Sequence, residues 1–163
     1  MTIHRMHPAY AEGFHALWQR VCGEGEEMIG PPPSIEKVKR VLALHNEKSV
    51  PSFIVIKDGA LVAAAEVFPK REDQAEKCGI LGVQVHPDYR RQGLAKQLLT
   101  TVLTDCQRYG IEQVELTVYQ HNHSAIRLYQ QFGFQASERV TEETLPSGRV
   151  VINQTMVLSL ASV

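Results

Sequence analysis

No excess of either charge marks this chain: 17 Lys and Arg stand against 18 Asp and Glu, a formal net charge of -1. Binding a phosphate backbone relies on a basic excess, so a nucleic-acid partner is disfavoured. Apolar runs are short, none approaching the roughly 20 residues of a membrane span, and the opening Met1-Thr2-Ile3-His4-Arg5 has no cleavable signal pattern. The expectation is a soluble, cytoplasmic protein without a membrane partner. Cysteine is scarce: Cys22, Cys78 and Cys106 are widely spaced with no CxxC pair. That signals neither a disulfide framework nor a zinc site, and leaves the three as small buried hydrophobes. Tracts rich in Gly or Pro are brief and charged residues make up 21%, which argues against disorder. What is there is 163 residues, 44% of them hydrophobic. This suits one domain over 1–163 with one buried core.

Apolar spacing predicts the elements. Loose alternation around Ile3 and Met6 gives a strand, and Phe14, Leu17, Trp18 and Val21 sit at helical spacing within Ala9 to Val21. The Gly- and Pro-rich stretch from Cys22 to Pro33 reads as a loop, after which Ser34 caps a helix to about Asn46 with the stripe Ile35, Val38, Val41, Leu42. Ser52 to Ile56, the turn dipeptide Asp58-Gly59 and Ala60 to Phe68 form a hairpin. A strand over Ile80 to Val85 breaks at His86-Pro87-Asp88. A helix then carries Leu94, Leu98, Val102 and Cys106 at i, i+4 spacing and ends at Gly110. Val114 to Tyr119 is a strand and Ser124 to Phe132 a helix stopped by Gly133. Two last strands flank Leu145-Pro146-Ser147-Gly148, the second ending near Leu160. This order predicts one mixed sheet with helices against it.

The stretch from Val83 through Arg90-Arg91-Gln92-Gly93-Leu94-Ala95-Lys96 runs from a strand through a basic turn into a helix. Physically it is an anion cradle: first-turn N–H groups lack helical partners and carry partial positive charge, while Gly93 and Ala95 leave the backbone open to a diphosphate. Alone, such a turn also reads as a solvated connection with a snorkelling Arg pair. Downstream stand Leu116-Thr117-Val118, Asn122, Ala125, Leu128-Tyr129 and Gly133-Phe134.

These two stretches resemble the RxxGxA signature and the LxV, NxxA, LY and GF run of the GNAT acetyltransferase superfamily, in the right order and at the expected interval. The resemblance implies an α/β (α+β) fold: a single mixed, mostly antiparallel sheet with helices on both faces and a CoA cleft between two splayed parallel strands. It implies acetyl-CoA as co-substrate. Val83 and Val85 would pair with the pantetheine arm, Arg90, Arg91, Gln92, Gly93, Leu94, Ala95 and Lys96 would hold the pyrophosphate, and Asn122 would lie near the pantetheine, a helix cap being its other reading. Tyr129 would protonate the departing sulfur if its site lowers a phenol pKa of about 10 toward the thiol's about 8.5; packing with a bonded hydroxyl is the plain alternative.

Some family members use a Glu on the strand before the CoA turn as general base, but here that strand reads Cys78-Gly79-Ile80-Leu81-Gly82. Glu66 and Glu115 are the candidates, directly or through a water; each also reads as a solvent-facing carboxylate. His121 and His123 bracket Asn122 without a carboxylate or Cys at ligand spacing, so no metal is expected. Glu24, Glu26 and Glu27 fall in the loop that walls the acceptor site in similar proteins, and the hairpin around Pro146 to Arg149 is assigned no substrate role. The expected activity is acetyl transfer to a primary amine of a small molecule, an amino acid or polyamine among them, by direct attack. Acetylation of a protein N-terminus or lysine is one alternative, and a non-catalytic acyl-CoA sensor is another. The oligomeric state stays open, a homodimer being common in such a family.

Overall fold

The computed structural model describes residues 2–22, 30–70 and 77–160. Four helices form at the predicted places: α1 Ala11–Cys22, α2 Ile35–Glu47, α3 Leu94–Tyr109 and α4 His123–Gln131. Ser34 caps α2, its hydroxyl accepting from the Lys37 N–H at 3.2 Å. The strands are β1 Thr2–Arg5, β2 Ser52–Lys57, β3 Ala60–Pro69, β4 Cys78–Val85, β5 Gln113–Tyr119, β6 Gln135–Thr144 and β7 Val150–Ser159. Only β1 is markedly shorter than expected. Pro8 opens a 3-10 turn to Tyr10, because its ring supplies no N–H for a ladder and its φ suits a turn.

The seven strands form one sheet in the order β1-β2-β3-β4-β5-β7-β6. Every neighbouring pair is antiparallel except β4 with β5. Helices α3 and α4 cover one face over Val55, Ala65, Val67, Val114 and Met156, with Leu98 and Val102 of α3 fully buried among them. Helices α1 and α2 cover the other face at the β1 to β4 end, packing Leu17, Val21, Val38 and Leu42 on Ile54 and Ala64. The stripe predicted for α2 splits there: Val38 and Leu42 are buried, while Val41 stays 38% exposed. Of the cysteines only Cys106 is buried; Cys22 and Cys78 are half-buried, which corrects the expectation that all three are core. Among the described residues, no helix is long and apolar enough to cross a membrane.

One charged cluster ties β1 to α3. Asp105 is buried, yet Arg5 donates to both its oxygens at 3.0 and 3.1 Å and Arg108 at 2.6 and 3.1 Å. Burial alone raises the Asp105 carboxyl, but the Arg108 and Arg5 guanidiniums outweigh it and hold the group below its usual range. A carboxyl lowered in the folded state contributes stability that is complete above its unfolded value of about 3.9 and is lost as pH falls through the lowered folded value. Asp105→Asn should therefore cost roughly 1–3 kcal/mol at pH 7, and the gap to the native chain should narrow at pH 3. Urea unfolding of both proteins at the two pH values checks this.

Candidate active site

Strands β4 and β5 pair through only three residues, Cys78 with Gln113, Gly79 with Val114 and Ile80 with Glu115, although both run on for several more. Beyond Ile80 they part. The phase of the β3–β4 ladder decides what faces the gap. Lys70 donates to the Cys78 carbonyl at 2.9 Å and His86 to the Val62 carbonyl at 2.8 Å, so the even-numbered residues of β4 bond β3. Antiparallel strands alternate, so the odd-numbered residues turn toward β5: the Leu81 N–H completes the last bridge with Glu115, and beyond it the backbone N–H and C=O of Val83 and Val85 face the gap, where β5 no longer pairs. Arg90 Nε donates to the Val85 carbonyl at 3.2 Å, closing the end of this edge.

The edge leads into the basic turn. Arg91, at φ 61°, and Gly93, at φ 79°, are both left-handed. For Gly93 this costs little, but for Arg91 it is a strained conformation of the kind that clusters at functional sites. Gly93 is the N-cap of α3 and offers no side-chain cap, and the first helical bond is Gln97 N–H to the Gly93 carbonyl at 3.0 Å. The N–H groups of Leu94, Ala95 and Lys96 are therefore left for an outside acceptor. The Leu94 side chain is buried, so only its backbone can serve. Arg91 and Lys96 are exposed. Gln92 accepts a hydrogen bond from Lys57, and Tyr89 donates to Asp58 at 3.3 Å, so the β2–β3 turn braces the basic turn.

Across the gap, Asn122 caps α4 by accepting from the Ala125 N–H at 3.3 Å. Tyr129 of α4 sets its ring edge-on to Phe134, centroids 5.9 Å apart. Burial pushes its phenol up to about 12. The lowering on which proton transfer to the sulfur depends is not met. Among the described residues no cation offsets the desolvation, so Tyr129 stays protonated throughout the neutral range.

On the α1/α2 face of β4 lies a cavity of about 530 Å³. Its walls include Gly82, Val83 and Gln84, so β4 presents its free backbone edge to the gap and its residues to the cavity. Glu66 of β3 also lines it, directly opposite Gly82 in register. The His45 Nδ1 of α2 stands 3.0 Å from Glu66 Oε1, off the line of an aligned hydrogen bond. Contact with Glu66 raises the His45 imidazole, against the opposing effects of burial and of Lys48.

Glu115 is placed differently. It is buried beside β4, with Lys70 Nζ at 3.1 Å and Arg139 at 2.9 Å on its two oxygens. Burial raises its carboxyl, but Arg139 and Lys70 prevail and hold it low. Doubly paired in this way, Glu115 is suited to joining β5, β6 and the end of β3 rather than to receiving a proton. Cys78 lies 3.9 Å from Glu115, and burial followed by that carboxylate pushes its thiol up, so it is no ready nucleophile.

Residues 12–134, three quarters of the chain, match the acetyltransferase (GNAT) family. The chain belongs to the GNAT family. It is 34% identical over 59 residues to the ribosomal-protein alanine N-acetyltransferase of Escherichia coli, a match spanning 36% of this chain and 40% of that relative's length. The ribosomal-protein-alanine N-acetyltransferase structure from Brucella melitensis superposes with a TM-score of 0.87 at 17% identity, covering 98% of this chain and all of that one. A phosphinothricin acetyltransferase of the same superfamily from Sinorhizobium meliloti, in complex with acetyl-CoA, gives 0.86 at 19% identity over 98% and 88% of the two chains. At such identities the two structures speak for the fold.

Within this GNAT chain the candidates fall in different places. Val83 and Val85 lie on the free edge of β4 and Arg90 to Lys96 in the turn that follows it, Asn122 and Tyr129 belong to α4 after β5, Glu66 lines the cavity and Glu115 is locked in ion pairs. Sequence reasoning missed His45, Ser52 and Gln84, which line the cavity with Glu66. His121 stacks on Tyr119 at 5.5 Å, and His86 caps the 3-10 turn Pro87–Tyr89. Among the described residues no group of three or more His, Cys, Asp and Glu gathers as a metal set. The acidic loop with Glu24, Glu26 and Glu27 lies outside the described residues.

The Glu66 contact makes a measurable statement about His45. A raised folded value contributes stability that is complete below the unfolded value of about 6.5 and is lost as pH rises through the folded value. In Glu66→Gln, burial acts unopposed, so the His45 imidazole should titrate lower than in the native chain, as read from its ring proton shifts by NMR. An unchanged titration would remove Glu66 as the cause.

Proposed function

We propose that the protein transfers an acetyl group from acetyl-CoA to the primary amine of a small molecule by direct attack. The observation that carries this reading is the position of β4. Its unpaired edge borders a gap that ends on the uncapped N-terminus of α3, and its other side walls a cavity holding a carboxylate. A pantetheine arm in the gap would pair with Val83 and Val85 as an added strand. The pyrophosphate would rest on the N–H groups of Leu94, Ala95 and Lys96, with Arg90, Arg91, Gln92 and the Cβ-free Gly93 around it. Asn122 would meet the pantetheine from the opposite bank. The likeness to a neighbour seen with acetyl-CoA supports this assignment.

The amine would enter from the cavity. Its nitrogen attacks the thioester carbonyl, forming the C–N bond, and the oxygen that gains charge is held by a backbone N–H near Val83 to Val85. For this the nitrogen must be neutral: Glu66, directly or through a water, takes one proton from the bound ammonium before attack, and the nitrogen loses a second to solvent as the C–S bond breaks to release the thiolate. Tyr129 meets the sulfur as a neutral phenol and donates a hydrogen bond as charge develops, and the released thiolate takes its proton from solvent. No covalent enzyme intermediate is involved. Holding both reactants against one strand supplies much of the rate.

Thiol release from acetyl-CoA, measured over a panel of amino acids, polyamines, aminoglycosides and peptide N-termini, tests the reading. Amine-dependent release is expected, and Tyr129→Phe should lower kcat by about 100-fold with acetyl-CoA affinity unchanged. Normal cofactor affinity without release for any acceptor would instead favour a non-catalytic acyl-CoA sensor. A marked preference for peptides would favour protein acetylation.

Gly93→Ala separates cofactor binding from folding. An added Cβ meets nothing within 4 Å in the protein, so the fold should lose only the left-handed penalty of roughly 1–2 kcal/mol. The methyl would face the diphosphate, and KM for acetyl-CoA should rise well beyond the change in stability, as steady-state kinetics beside thermal unfolding would show.

A further inference from the structure

The cavity is apolar except along one wall. Phe14, Trp18, Val38, Val41, Leu42 and Phe68 are among its lining residues, whereas Glu66, Ser52 and Gln84 come from adjacent strands of the sheet with His45 of α2 beside Glu66. Among the described residues, two buried side-chain atoms on this wall, Ser52 Oγ and Gln84 Oε1, have no hydrogen-bond partner, whereas His45 Nδ1 is turned to Glu66 at 3.0 Å. Buried polar atoms are normally satisfied, so two such atoms beside a carboxylate mark a place for a polar group from outside.

The register defines their arrangement. Ser52 stands opposite Glu66, and Glu66 opposite Gly82. Val67 N–H bonds the Pro51 carbonyl at 2.9 Å, which makes Ser52 and Glu66 the non-hydrogen-bonded kind of pair, the kind that brings side chains closest. Gln84 is the next residue on the same face of β4, diagonal to Glu66 at about 7–8 Å between Cα atoms. Gly82 places no side chain between them. A carboxylate, a hydroxyl and an amide oxygen thus face one region, three acceptors for a group with three N–H donors and one positive charge. His45 is not a fourth acceptor but stands behind Glu66.

We propose that Glu66, Ser52 and Gln84 receive the substrate's ammonium, and that the acceptor is a primary monoamine carrying an apolar group of branched-aliphatic or aromatic size. This rests on the acetyl-transfer reading and narrows its acceptor. The apolar walls offer nothing to the hydroxyls of an aminoglycoside. Lys37, which also lines the cavity, lies eight residues before His45 on α2, about 12 Å along the helix, and its charge opposes a second ammonium there. Among the described residues Glu66 is the one carboxylate lining the cavity, so a polyamine's extra charges meet no second one there. The partial exposure of Val41 fits the same account, since it faces the cavity rather than the core.

The test uses the full chain with two readouts. In calorimetry on protein saturated with CoA, phenylethylamine and isopentylamine should bind at least about 10-fold more tightly than spermidine, kanamycin or an alanine-initiated peptide. In turnover with acetyl-CoA, Ser52→Ala and Gln84→Met should each raise KM for phenylethylamine by about 3- to 10-fold, with kcat within about twofold. Glu66→Gln should lose both binding and rate. Spermidine or the peptide binding as tightly as phenylethylamine would overturn the substrate class. Unchanged KM in both Ser52→Ala and Gln84→Met, with folding verified by circular dichroism, would overturn the site. Tight amine binding without thiol release would leave the site standing and reject acetyl transfer, whereas release with spermidine, unaffected by either variant, would do the reverse.

Discussion

Everything at the candidate site depends on the pairing of β4 with β5 ending after three residues. Paired along their full length, the strands would satisfy each other and leave no opening. Instead the N–H and C=O groups of Val83 and Val85, beyond the last bridge at Ile80 and Glu115, have no ladder partner on that side. Inside a globular protein that edge would be costly. It is tolerable because it opens to solvent or to a ligand that supplies the same hydrogen bonds. The separation is maintained from both banks: β4 leaves into a basic turn braced by Lys57 and Asp58, and β5 leaves into α4 through the Asn122 cap.

A second constraint acts one strand away. From the Asp58-Gly59 turn, simple hairpin pairing of Lys57 with Ala60 and Ile56 with Leu61 would set Ser52 opposite Ala65. The observed register skips Val62, so that Val55 meets Ala63 and Ser52 meets Glu66. One bulged residue therefore decides which side chains share a face, since a slip of one exchanges the two faces of a strand. The polar wall of the cavity exists because of that bulge. Nothing in Ala60-Leu61-Val62-Ala63 announces it, which is why Ser52 passed as an ordinary strand residue in the sequence.

Features that depend on near neighbours were legible in advance. Ser34 and Gly110 bounded their helices, Asp58-Gly59 made its turn, and Gly93 marked the start of α3 because its signal lies within seven consecutive residues. Features set by distant residues were not. Glu66 and Glu115 looked alike as carboxylates on strands, and they differ only in what the fold brings to them: His45 from α2 for one, Lys70 and Arg139 for the other. For Tyr129 proton transfer was conditional on a lowered phenol, and the burial that instead raises it is a property of packing. Val41 belonged to the stripe of α2 by spacing but faces the cavity, an outcome that periodicity alone cannot separate from burial in the core.

These differences bear on how a carboxylate can take part in catalysis on this scaffold. Gly82 occupies the strand on which some relatives carry their base, and the carboxylate opposite it belongs to the neighbouring strand. Because antiparallel partners in register project to the same face, moving the acid from β4 to β3 displaces it by one inter-strand spacing, about 4.7–4.9 Å. A gap of that size can be bridged by the extra reach of a Glu side chain or by one water. Glu115, paired opposite Ile80, would first have to surrender two cations. Of the two carboxylates, Glu66 alone lines the cavity, beside an imidazole, whereas Glu115 serves as a link within the sheet.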